Sequence, residues 1–372
     1  MRIERGTHHA ATIARHMARS RQISHARGAS FLPSYGAQGA PELQIEPIDP
    51  TAGGNILRPT TLAQMVGQEK LKPLLRRIID VARETESPMD HMLMVGASGT
   101  GKTTTAQIVA HELHRRVYQV KAPVSLETFE KLREIMRDGE ILIIDEIHQQ
   151  VSGDRRGATQ ACDPETFFHV MEDRQLATAT GMLPFPAITI IGATTDAGLL
   201  PEPFLNRFPI QPRLERYSTK DMAQIVKANA EALGLTLDDG VAPMLGAASR
   251  GTPRIANNYV RNVKVLTPGT FVRVDVAREV IEVLNSTTLD GLTLDMQRML
   301  TFLLSSRREN RAGDVVYQAS VNTIATALGK SRDTKAIALY VEPWLIEQGW
   351  VQVTHGGRQL TEQGITRARA LS

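Results

Sequence analysis

Residues 96–103, Gly96-Ala-Ser-Gly-Thr-Gly-Lys102-Thr103, satisfy the pattern G-x-x-x-x-G-K-[S/T]. Composition alone gives a chance match in about one chain in a hundred of this length, so the flanks decide its meaning. Upstream, His91-Met-Leu-Met-Val95 is a short apolar run readable as a buried strand. Downstream, Thr103 to Leu113 has helical spacing, with Ala106, Ile108, Val109 and Leu113 apolar. Strand, glycine loop and helix aim successive backbone N–H groups and a helix N-terminus at a phosphate. Gly96, Gly99 and Gly101 form the loop of such a cradle. Lys102 would neutralise the β- and γ-phosphates of a nucleotide, the Thr103 hydroxyl would ligate Mg²⁺, and Thr104 continues the first helical turn beside them. The plainer alternative is a Gly-rich turn with a solvated lysine.

A second run removes most of that alternative. Glu140-Ile-Leu-Ile-Ile-Asp145-Glu146-Ile-His148 is an apolar strand ending in two carboxylates. Desolvated carboxylates are costly without a cationic partner. Asp145 suits the Mg²⁺ shell, and Glu146 suits the group that orients an attacking water in phosphoryl transfer. A third strand, Ala187-Ile-Thr-Ile-Ile-Gly-Ala193, ends at Thr194-Thr195. A polar residue there, Thr194, is placed to contact the γ-phosphate, although a turn-starting threonine has the same sequence.

The rest of the composition sets bounds. The 372 residues exceed one ordinary domain, and 42% apolar with 22% charged residues is ordinary for a soluble globular protein. No apolar run approaches the length of a membrane span. Cys162 is the one cysteine, so an internal disulfide is impossible and a reducing, cytoplasmic setting is expected. The net charge of +3 is concentrated at the start: residues 1–30 hold six arginines, four histidines and a lone acid, Glu4. That stretch reads as a nucleic-acid arm, an organelle transit peptide or a solvated tail, and residues 31–57 read as a linker.

Longer segments resemble the RuvB family of AAA+ motors. They are Arg58-Pro-Thr-Thr-Leu, Val66-Gly-Gln-Glu, Leu142 to His148, Met171-Glu-Asp-Arg-Gln-Leu176, and Ile191-Gly-Ala-Thr-Thr-Asp-Ala-Gly198. Arg250-Gly-Thr-Pro-Arg-Ile-Ala-Asn257 and Val341-Glu-Pro-Trp-Leu-Ile-Glu-Gln-Gly349 are the most family-specific. The resemblance covers residues from about 57 onward. It implies an α/β P-loop ATPase domain at 58–216, a helical lid at 217–289 and a winged helix at 290–372, after an N-terminal extension at 1–57. It implies ATP and Mg²⁺ as cofactors, with Leu57, Arg58, Val66 and Tyr217 around the adenine and sugar. Arg254 would be a sensor on the lid. Arg207 would be an arginine finger reaching a neighbouring subunit's γ-phosphate in a hexameric ring. In the winged helix, Ser320 to Gly329 and Lys335 to Ile346 would be helices. The turn His355-Gly-Gly-Arg358 would be the wing, with Arg358 meeting DNA phosphate and adding position but little sequence choice. The implied activity is ATP-driven branch migration of four-way DNA junctions in recombination and repair.

Departures bear on partner and DNA grip. The stretch after His148, through Val151 to Gln160, is longer than the family's link and places Arg155 and Arg156 where such a ring has a pore-facing loop. The segment between Leu176 and Ala187 is shorter than the family's hairpin, whose apolar tip docks on the junction-binding partner RuvA. Val353 and Gly356 stand where the family favours basic residues. A loader or switch that assembles on DNA with ATP and releases on hydrolysis, or an ATP-regulated adaptor, shares the same ATPase parts and stays open at this level.

Overall fold

Two adjacent hydrophobic faces organise the ATPase portion. Strands β1 (Met92–Gly96), β3 (Ile141–Asp145) and β6 (Thr189–Thr194) are buried along nearly their whole length, and the first two are largely apolar because both faces of their sheet are covered. Ile141 and Ile143 face one cluster with Met92 and Met94; Leu142 and Ile144 face the other with Phe129 and Phe167. With β2 (Val117–Lys121) and β7 (Arg213–Leu214) they form a parallel sheet in the order β2-β3-β6-β1-β7. Helices α1 (Leu71–Thr85) and α2 (Lys102–Glu112) supply Leu75, Ile79, Ile108 and Val109 to the first cluster. A small hairpin, β4 (Gln175–Thr178) and β5 (Gly181–Pro184), pairs Thr178 with Gly181 at its tip and leaves Met182 exposed.

The computed structural model describes residues 45, 47–48, 56–85, 87–151, 161–309, 313–330 and 333–371. The basic start, nearly all of the linker, and Arg155 and Arg156 lie outside the described residues.

Beyond β7 the pattern turns helical. Helix α3 (Thr219–Ala232) starts on a capping box between Ser218 and Asp221. Helix α4 (Val241–Ala248) packs against it so closely that a Cβ on Gly246 would lie 2.9 Å from the Ala223 backbone nitrogen. Helix α5 (Pro253–Leu266) begins with proline at N1. Met222, Val226, Leu245, Val260 and Ile281 share one core.

A separate core runs from Leu292 to Ala368. It gathers helices α6 (Leu294–Ser305), α7 (Val321–Ala327) and α8 (Glu342–Glu347) against an antiparallel sheet. The wing turn joins two strands, β12 (Val351–Thr354) and β13 (Gly357–Leu360). The structure adds β10 (Arg307–Glu309) and β11 (Val315–Ala319), in the order β10-β11-β13-β12.

Three polar contacts tie this unit to the lid and their connection. Arg216 Nε pairs with Glu347 Oε2 at 2.6 Å, with its guanidinium 5.7 Å from the Trp344 ring centre. Arg250 Nη1 donates to the Gly291 carbonyl at 3.1 Å, and Arg367 pairs with Asp290 at 2.7 Å.

Candidate active site

The C-terminal ends of the parallel strands come into line. Lys121 pairs with Asp145, Asp145 with Ala193, and Val95 with Thr194. The glycine loop and the acidic pair therefore open on the edge where such sheets bind ligands. A cavity of about 890 Å³ lies there, a normal size for a ligand site. Gly99, Gly101, Lys102, Thr103, Thr104, Asp145 and Glu146 line it from the ATPase domain, joined by Leu57, Arg58 and Val66. Tyr217 and Arg254 enter from the lid side.

The loop's shape requires its glycines. Gly99 and Gly101 have φ of +79° and +105°, conformations that side chains disfavour. A Cβ on Gly99 would also stand 2.8 Å from Thr252 Cγ2 of the lid. Lys102 is nearly buried, and its Nζ donates to the Gly96 and Ala97 carbonyls at 2.8 and 3.0 Å. Burial lowers its pKa; Glu146 pulls the other way, Arg254 adds to the lowering and Asp145 opposes it. An anion in the loop would relieve that desolvation.

Thr103 Oγ1 donates to Asp145 Oδ1 at 2.8 Å, and Gln119 donates to Asp145 Oδ2 at 2.5 Å. A hydroxyl and a carboxylate side by side are oxygen donors of the kind Mg²⁺ takes, with phosphate and water left to complete its shell. Thr103 and Asp145 therefore fit that ion.

Glu146 occupies the left-handed region, with φ 51° and ψ 44°, a costly backbone for a non-glycine residue. Its Oε2 is 3.4 Å from Thr195 Oγ1 and 3.5 Å from His148 Nδ1. Thr194 needs correction. It is fully buried, does not line the cavity, and its hydroxyl accepts from Asp196 N and donates to Asp196 O, both at 3.1 Å. Its neighbour Thr195, passed over in the sequence, presents the hydroxyl that meets Glu146. The doubled threonine is the signal in the sequence, and chain order alone does not say which of the two meets Glu146.

Arg207 and Arg358 lie elsewhere. Arg207 does not line the cavity. Its Nη1 donates to the Pro203 carbonyl at 2.6 Å, its Nη2 pairs with Glu172 at 3.0 Å, and its Cζ sits 3.7 Å from the Phe168 ring centre. Arg254 faces the loop, with Nη1 3.4 Å from Ser98 Oγ. Arg358 is paired within the winged helix. Its Nε and Nη2 donate to the two carboxylate oxygens of Glu342, both at 2.6 Å, so the guanidinium is engaged inside the winged helix rather than offered to phosphate. Glu342 is buried and requires that cation.

Family models match almost the whole described body. The Holliday junction DNA helicase RuvB P-loop domain matches residues 57–214, the RuvB AAA lid domain 217–295, and the RuvB C-terminal winged helix domain 308–368. The chain belongs to the RuvB family. The Holliday junction branch migration complex subunit RuvB of Rubrobacter xylanophilus is 34% identical over 348 residues, covering 88% of this chain and 91% of that protein. The structure of the Thermotoga maritima RuvB Holliday junction branch migration motor superposes with a TM-score of 0.69 at 27% identity. It covers 84% of this chain and 98% of its own. A variant of the same RuvB superposes at 0.70 with 28% identity over the same shares. The mixed α/β architecture with P-loop, lid and winged helix is thus that of RuvB proteins. Among the described residues, no helix is long and apolar enough to cross a membrane.

Proposed function

We propose that this chain is an ATP-hydrolysing subunit of a ring motor that drives branch migration of four-way DNA junctions. One observation carries the reading. Lys102, Thr103, Asp145 and Glu146 share a single cavity, while Arg207, the remaining cation that hydrolysis needs, lies outside it. A site completed from a neighbouring subunit accounts for both facts. The relatives named for branch migration supply the substrate class.

The geometry supports one division of labour. Backbone N–H groups of the glycine loop and Lys102 would hold the β- and γ-phosphates. Thr103 and Asp145 would hold Mg²⁺, which neutralises phosphate charge. Glu146 would accept a proton from the attacking water, steadied by Thr195. A neighbouring subunit's Arg207 would meet charge developing on the transferred group. Leu57, Arg58, Val66 and Tyr217 would enclose the base and sugar, and Arg254 would report the phosphates to the lid. We infer a hexamer as the ring, and weak or no docking of a RuvA-like partner, because the β4–β5 hairpin has strands of only four residues.

The test is strand exchange on a four-way junction with ATP and with a non-hydrolysable analogue. Migration with ATP alone supports the motor. Assembly with the analogue followed by release on hydrolysis, without migration, would make the chain a loader.

A further inference from the structure

Glu146 has a histidine beside it, with His148 Nδ1 3.5 Å from its Oε2. Glu146 starts the short turn Ile147–Gln150, and that turn is fixed at both ends. Ile147 is fully buried over β6, where a Cβ on Gly192 would lie 2.9 Å from Ile147 Cδ1. Gln150 is buried too: its Oε1 accepts from Val124 N at 2.7 Å and its Nε2 donates to Val124 O at 3.2 Å. Between these anchors, His148 Nδ1 lies 3.0 Å from Thr194 Oγ1 and 3.5 Å from Glu146 Oε2.

The proton positions follow from the partners. The Thr194 hydroxyl has one hydrogen and two acceptors in reach, the Asp196 carbonyl at 3.1 Å and His148 Nδ1 at 3.0 Å; when the carbonyl takes it, the hydroxyl accepts from His148. In that arrangement Nδ1 carries a hydrogen and donates it to Thr194, with the Glu146 carboxylate 3.5 Å away on the same side. Thr194 in turn is locked into its turn by the Asp196 N–H. A chain of contacts thus runs from the end of β6 through Thr194 and His148 to the acid, whose own left-handed backbone gives it no regular-structure support.

We propose that His148 is a positioning residue for Glu146, and that Thr194 acts on catalysis through His148 rather than by touching nucleotide. This rests on the reading of Glu146 as the water-orienting acid. Displacing a catalytic group by about 1 Å can cost about 10²-fold in rate, and a carboxylate held by two long contacts depends on each of them.

The experiment measures kcat, KM and nucleotide affinity for His148→Ala, His148→Asn, Thr194→Val and the His148→Ala/Thr194→Val double variant, with Glu146→Gln and thermal melts alongside. His148→Ala should lower kcat by about 10- to 100-fold with nucleotide affinity kept. Asparagine, whose side-chain amide can donate from near the Nδ1 position, should recover most of that loss. Thr194→Val should resemble His148→Ala, and the double variant should be no worse than either. Wild-type turnover in His148→Ala, or asparagine no better than alanine in folded protein, would overturn the proposal. Losses that multiply in the double variant would do so as well, returning Thr194 to direct contact with nucleotide. Undiminished turnover in Glu146→Gln would instead remove the underlying assignment of the acid.

Discussion

Arg358 and Glu342 form a two-pronged ion pair, Nε to Oε2 and Nη2 to Oε1, with the glutamate side chain only 7% exposed. The pair joins β13 to the helix that carries Trp344, so it braces the winged helix from within. The hydrogen bond to Glu342 raises the Arg358 pKa, against a smaller lowering by burial. A group raised in the folded state gives its stability in full below its unfolded pKa and loses it only as pH climbs past the guanidinium range. The brace is therefore constant at neutral pH.

Arg358→Ala should destabilise the protein by about 3 kcal/mol, because it strands a buried carboxylate. Lysine should recover only part of this, lacking the planar fork. Thermal melts at about pH 6 and about pH 9 should show the same loss. Binding of DNA by folded variant protein should keep the wild-type salt slope. A slope lower by about one with an unchanged melt would restore a phosphate contact.

For the phosphate loop, Lys102→Met and Glu146→Gln should separate binding from chemistry. The first should abolish nucleotide binding, while the second keeps ATP bound but unhydrolysed. Equal loss of affinity in both, read by fluorescent-nucleotide titration, would end that division.

Lys102 also predicts a pH effect in nucleotide-free protein. Its folded pKa is lowered, chiefly by burial. Between that value and the unfolded value of about 10.4, the unfolded chain binds more protons, so stability rises with pH. The wild type should therefore gain on Lys102→Met as pH rises through this window, in melts compared at each pH. A difference that stays flat with pH would show that the lysine is not held at a desolvation cost.

The finger reading predicts that Arg207→Ala lowers turnover by about 10³-fold or more. Mixing it with Lys102→Ala subunits should rescue activity at interfaces that combine an intact loop with an intact finger. Mixed rings without rescue would confine Arg207 to its own subunit.

Cys162 offers a reporter. It is buried, and desolvation first, then Asp163, push its thiol up to about 12, partly offset by a backbone hydrogen bond. Since thiolate is the reactive form, a thiol reagent at about pH 8 should modify it only on unfolding. Rapid modification of folded protein, measured by mass, would contradict its burial.

The elements that the sequence reveals are those whose physics is local. The β1 and β3 runs are legible because double-sided burial demands unbroken apolar residues, and the glycine loop because its backbone angles admit little else. What stayed hidden depends on distant partners. His148 meets Thr194 across 46 positions, and Arg358 meets Glu342 across 16. Neither pairing leaves a spacing pattern, so in the sequence Arg358 reads as a wing arginine facing phosphate and Thr194 as a γ-phosphate contact. The β10–β11 pair escaped notice because three- and five-residue strands carry too little alternation to register.

The joints around Arg216 have a mechanical meaning. The P-loop meets the lid at Gly99 and Thr252 with no room for a methyl group, and Thr252 Oγ1 accepts from Arg216, whose Nε grips Glu347. With Arg250 held to Gly291 and Arg367 to Asp290, the lid and the winged helix are tied on both sides of their connection, so a rotation of one would load the other. A ligand in the glycine loop would press on that joint through Gly99 and Thr252, and the strain would be felt as far as the helix that carries Glu347.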